Sequence, residues 1–154
     1  DFGLVIEPFD VNAYHYLKLN QPDQWGILTR RDHPLSQKAT VTADDLRDLP
    51  LIVSEQLQGN RTFAERTGLD WDTVHIVGTY NLLFNASLLV KEEIGHAVCL
   101  DRIINTSGSE LIFVPLAPAL KANTYLIWKK QAILSRPAKT LLEWMSFPQE
   151  KTTF

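Results

Sequence analysis

A chain of 154 residues with 45% apolar and 21% charged side chains can bury one sizeable core or two small lobes, and its composition is that of a folded domain. Its formal net charge is −3, and the only basic doublets are Arg30-Arg31 and Lys129-Lys130, so it has no basic stripe with which to follow a phosphate backbone. The single cysteine, Cys99, lies in the apolar run Ala97-Val98-Cys99-Leu100, which excludes a disulfide scaffold and reads as a buried structural thiol in a reducing compartment. No apolar run approaches the roughly 18 residues that cross a bilayer and no secretory signal opens the sequence, so the expected location is the cytoplasm, with no membrane partner. Because the sequence opens on Asp1 rather than on methionine, an upstream segment is expected.

In chain order, Phe2-Gly3-Leu4-Val5-Ile6 reads as a strand buried on both faces and stopped by Glu7-Pro8. Tyr14 to Leu19 and Trp25 to Arg30 form a second pair of strand candidates. The turn-like Asn20-Gln21-Pro22-Asp23 separates them, which suggests a hairpin. Thr42-Ala43-Asp44-Asp45-Leu46 sets a hydroxyl before a helical turn and a carboxylate three residues on, the pattern of a capping box. Leu51-Ile52-Val53 is a compact strand. A helix from Asn60 to Thr67 follows, with Asn60 as N-cap and Gly68 as its stop.

Val74 to Gly78 returns to strand. From Asn81 the apolar positions Leu82, Leu83, Ala86, Leu89, Val90 and Ile94 recur at helical spacing until Gly95, and His96 to Leu100 is the next strand. Buried strands alternating with helices over residues 51 to 100 predict parallel strands joined by crossover helices, hence an α/β fold. Leu111 to Val114 and Thr124 to Trp128 are two further strands. A final helix has Ser135 as cap, Pro137 in its first turn, an apolar face of Ala138, Leu141, Leu142 and Met145, and Pro148 at its end. Gln149 to Phe154 reads as a frayed tail.

Few residues announce chemistry. His15, His33, His75 and His96 lack the spacing of a zinc site. There is no Gly-rich phosphate loop, no nucleophile elbow and no Cys-x-x-Cys, so neither a metal, a cofactor nor an enzymatic reaction is expected. Trp25, Trp71, Trp128 and Trp144 are spread through the chain and suit packing better than a stacking platform for bases.

Polar residues do stand directly after strand ends: Glu7, Ser54 with Glu55, Thr79, and Asp101. In open α/β sheets ligands collect at the carboxyl ends of strands, beside the free N–H groups of the following helix. The corner Thr79-Tyr80-Asn81 offers a hydroxyl, a phenol and an amide to an anion or a carbonyl. An alternative stays open, in which Thr79 or Asn81 only caps the helix and Tyr80 only packs.

The order of these pieces resembles a known family. Phe2-Gly3-Leu4-Val5-Ile6-Glu7-Pro8, then Trp25-Gly26-Ile27-Leu28 with Asp32-His33-Pro34-Leu35, then Thr42 to Leu46 with Leu49-Pro50-Leu51-Ile52, is similar to the effector-binding domain of LysR-type transcriptional regulators. Val77 to Asn81 followed by Val90 to Leu100 continues the likeness.

The resemblance implies a two-lobed fold like type 2 periplasmic binding proteins. Its second lobe would be complete at residues 35–105, and its first lobe partial at 1–34 and 106–154, without the opening segment. It implies a small-molecule effector, polar or anionic, held between the lobes by Glu7, Ser54, Glu55, Thr79, Tyr80, Asn81 and, more weakly, Asp101. It further implies a homo-oligomer that meets DNA only through an N-terminal helix-turn-helix absent from this sequence. The alternative is a solute-binding protein or receptor domain of the same fold.

Overall fold

The computed structural model describes residues 1–19 and 21–146. The chain divides into two compact units, one running from Pro22 to Ala122 and the other made of Asp1–Gln21 with the chain from Asn123 onward.

The Pro22–Ala122 unit is built on a mixed sheet. Its strands are β3 (Asp23–Arg30), β4 (Leu51–Ser54), β5 (Ile76–Tyr80), β6 (His96–Leu100), β7 (Leu111–Pro115) and the short β8 (Lys121–Ala122). The main path is β5-β4-β6-β3-β7, with β8 paired to β3. β4 runs parallel to β5 on one side and to β6 on the other, as the alternation of strands and helices predicts. β3 lies antiparallel between β6 and β7.

Strand periodicity divides the core into two layers. Leu51, Val53, Ile27 and Val98 face one side, with Leu46 and Phe63 packed over them. Ile52, Leu28, Ala97 and Cys99 face the other, under Leu83, Ala86 and Val90. Leu51, Ile52 and Val53 are all fully buried, so the continuous apolar run reflects a strand covered on both faces. Each such side chain stabilises the fold by about 1.5–3 kcal/mol.

The first two helices are capped where their sequence predicts. Thr42 and Asp45 form a complete capping box at α1 (Ala43–Leu46). Asn60 caps α2 (Arg61–Thr67), and Gly68 ends it in the left-handed conformation that a Cβ would disfavour. α3 (Leu83–Lys91) follows β5, and Gly95 then admits a close approach of chains. A Cβ there would stand 2.7 Å from the Pro50 carbonyl oxygen, which instead accepts the His96 N–H at 2.8 Å.

In the other unit β9 (Thr124–Lys129) is the centre of a three-stranded antiparallel sheet between β1 (Gly3–Ile6) and β2 (Tyr14–Lys18). α4 (Arg136–Ser146) follows, and Ser135 Oγ accepts from the Ala138 N–H at 3.4 Å.

Several expectations need correction. β1 is an edge strand rather than one buried on both faces: among the described residues it pairs only with β9, and it leaves Leu4 67% exposed. β2 and β3 form no hairpin, because β2 pairs with β9 while β3 joins the other sheet. β3 and β7 pair within the compact unit that runs from 22 to 122. Trp25 and Trp71 pack against the core, whereas Trp144 is 62% exposed. Asn20, Pro148 and the tail from Gln149 to Phe154 lie outside the described residues.

Candidate functional site

Because β4, β5 and β6 are parallel, their carboxyl ends at Ser54, Tyr80 and Leu100 share one rim. The Glu55 N–H donates to the Tyr80 carbonyl at 3.0 Å, and the Ser54 carbonyl accepts from Leu57 and Gln58 at 2.8 and 3.1 Å. The ends of β4 and β5, which carry Ser54 and Thr79–Tyr80 and lead into Glu55 and Asn81, are thereby joined by backbone. No hydrogen bond within the described residues uses the side chains of Ser54, Glu55, Thr79 or Asn81, and the last three are exposed.

Neither Thr79 nor Asn81 caps the following helix. The N-cap of α3 is Leu82, which has no side-chain hydrogen bond to offer. Its carbonyl accepts from Asn85 and Ala86, but no side chain reaches the first-turn amides. An uncapped N-terminus retains unpaired N–H donors and the positive end of the helix dipole, and here it sits beside a free hydroxyl and a free amide.

Tyr80 and Asp101 are otherwise occupied. The Tyr80 phenol turns inward, donates to the Val98 carbonyl at 2.8 Å and packs against the layer containing Ala97 and Cys99. Burial, followed by the neighbouring Cys99, raises its pKa above the ordinary tyrosine value and keeps it a neutral donor. Asp101 Oδ1 accepts the Gln24 N–H at 2.7 Å, and Asp101 Oδ2 lies 3.3 Å from Arg102 Nε. Both residues secure the rim from behind.

Glu7 belongs to the other unit. Its carboxylate accepts from Asn123 Nδ2 at 2.7 Å and from the Tyr125 hydroxyl at 3.1 Å. Slight burial pushes its pKa up. The Asn123 and Tyr125 side chains, the Asn123 backbone and the charge of Lys18 together outweigh that and hold it below the usual glutamate value. Sequence reasoning missed Asn123 and Tyr125, which lie more than a hundred positions from Glu7 and carry no local signal.

It also missed a histidine pair. His33 and His96 have ring centroids 4.4 Å apart, and His96 Nδ1 shares a 2.9 Å hydrogen bond with Thr29 Oγ1. Burial first, and His33 second, push the His96 pKa down to about 4. Cys99 is buried as expected, and burial raises its thiol to about 12, far from a reactive thiolate. Among the described residues no group of three His, Cys, Asp or Glu could hold a metal ion, and no helix is long and apolar enough to cross a membrane.

The family model for the LysR substrate binding domain matches residues 1–146, and the chain belongs to that family. No curated protein matches the chain. The LysR family transcriptional regulator HinK from Pseudomonas aeruginosa is similar in structure, with a TM-score of 0.73 at 22% identity over 94% of this chain and 52% of that one. The regulatory domain of Synechocystis PCC6803 CcmR, solved in complex with 2-PG, gives a TM-score of 0.75 at 20% identity over 94% of this chain and 71% of its own. The effector binding domain of QuiR in complex with shikimate gives 0.76 at 15% identity, covering 94% and 69%.

These likenesses establish the fold, the two-lobed periplasmic-binding-protein-like α/β architecture of the family. The chain spans about half the length of HinK.

Proposed function

We propose that this domain senses a small polar or anionic effector and that the intact protein uses it, through a separate DNA-binding domain, to regulate transcription. The observation that carries the reading is the uncapped N-terminus of α3 beside the unengaged side chains of Thr79 and Asn81. That corner supplies donors suited to a carboxylate, phosphate or carbonyl. Ser54 and Glu55 border it, and Tyr80 and Asp101 act as supports rather than as ligands.

The complexes of CcmR with 2-PG and of QuiR with shikimate support a small-molecule ligand for this fold. Effector binding changes output by favouring one arrangement of the domain over another, which requires unequal affinity for the two. The reading includes a cytoplasmic homo-oligomer and a binding rather than catalytic role.

Calorimetric titration with a library of small organic acids and phosphates tests it. One or more should bind, and Thr79→Ala with Asn81→Ala should weaken that binding about tenfold or more. Binding that ignores both substitutions would overturn the assignment of the corner.

A further inference from the structure

Beside Glu7 stands an aromatic cluster that the proposed effector chemistry does not use. Phe9 and Tyr125 have ring centroids 5.0 Å apart at 56°, Phe9 and Tyr16 are 5.5 Å apart at 74°, and Tyr16 and Tyr125 are 5.7 Å apart at 83°. All three rings lie in the unit that contains Glu7, and the Tyr125 hydroxyl joins them to its carboxylate.

We propose that Phe9, Tyr16 and Tyr125, with the Glu7 carboxylate, form a binding site for an organic cation of the alkylammonium class.

Three mutually perpendicular ring faces, each about 4 Å from a seated ammonium and so within the roughly 6 Å reach of cation–π attraction, have centroids about 5.7 Å apart. The Tyr16–Tyr125 and Phe9–Tyr16 pairs approach that arrangement, while the Phe9–Tyr125 pair is closer and less steep. Tyr16 is 52% exposed, so the cluster is open to solvent.

Glu7 supplies the counter-charge. It is exposed, and its two oxygens together accept two side-chain hydrogen bonds where a carboxylate offers about four acceptor positions. Lys18, opposite Tyr125 across the β2–β9 pair, contributes to holding Glu7 ionised but makes no ion pair among the described residues. The carboxylate is therefore fixed and anionic, with hydrogen-bond partners but no ion pair among the described residues.

The cation site is read from one unit alone and is argued independently of the acid-binding corner at α3.

The test uses the full chain with choline and 3,3-dimethylbutan-1-ol, which has the same shape without the charge. Ring-proton signals of Phe9, Tyr16 and Tyr125 are followed by NMR. Choline should shift them saturably, and the neutral analogue should bind about tenfold more weakly. Glu7→Gln, which preserves an acceptor for Asn123, should weaken choline several-fold, as should the exposed substitution Tyr16→Leu. Matching thermal melts would show that both variants are folded.

Equal binding of the two probes, or no ring shifts at high choline concentration, would overturn the proposal and show that the rings only pack edge to face. Backbone signals at Thr79 to Leu83 report on the acid-binding corner in the same spectra. A failed cation site is thus distinguishable from a failed effector reading.

Discussion

Asp101 and Gln24 clasp one another by backbone and side chain: Asp101 Oδ1 accepts the Gln24 N–H at 2.7 Å, and the Asp101 N–H donates to the Gln24 carbonyl at 2.9 Å. The clasp joins the end of β6 to the start of β3 and fixes the rim on which the proposed site stands. Asp101→Ala leaves the Gln24 donor without its side-chain acceptor and should cost about 1–3 kcal/mol of stability. Urea denaturation would measure this, with effector affinity changed far less than stability.

Tyr80 makes a similar division between holding and binding. Tyr80→Phe removes the 2.8 Å bond to the Val98 carbonyl while keeping the ring, and should cost about 1–2 kcal/mol. Thr79→Ala, one residue earlier but exposed, should leave stability within about 0.5 kcal/mol and weaken the effector. A Tyr80→Phe protein that keeps its stability and loses binding would reverse these roles.

The absent cap of α3 can be restored. Leu82→Asp places a carboxylate at the N-cap and should stabilise the protein by about 0.5–1 kcal/mol. The same carboxylate would occupy the first-turn amides and repel an anionic ligand. A higher melting temperature together with lost effector binding is the expected result, and a stabilised variant with undiminished affinity would count against binding at these amides.

His96 sets a pH dependence. Its pKa falls from 6.5 to about 4 on folding, so between those values the unfolded chain holds a proton that the folded chain excludes. The stability due to this difference is fully present above about pH 6.5, declines as pH falls, and is lost below about pH 4. The loss is on the order of 3 kcal/mol. His96→Gln should flatten the denaturation profile across that window, and an unchanged slope would show that His96 is not the group responsible.

What was legible in the sequence was what short-range physics writes there. The capping box of Thr42 and Asp45, the Asn60 cap and the Gly68 stop each involve residues a few positions apart. The parallel order of β4, β5 and β6 was readable because helices of crossover length separate buried strands. Strand pairing over long distances was not readable. β2 and β3 are neighbours in sequence separated by turn-forming residues, yet the partner of β2 is β9, and no local pattern encodes that choice.

The candidate site divides along the same line. Positions near strand ends follow from topology, so the sequence could point to Ser54, Glu55, Thr79 and Asn81 as candidates, although Ser54 and Thr79 lie within β4 and β5. Whether a side chain turns toward the rim or away from it depends on what packs behind, and for Tyr80 the Val98 carbonyl decides. Glu7 could be named too, but Asn123 and Tyr125 that hold it, like Thr29 beside His96, come from strands far along the chain.

The most direct test of the central claim is an amide NMR titration of the full chain with the acid that binds most tightly in calorimetry. Binding at the rim predicts saturable shifts concentrated at Thr79, Asn81, Leu83 and Phe84, lost in Leu82→Asp. Saturable shifts that leave this corner untouched would contradict it.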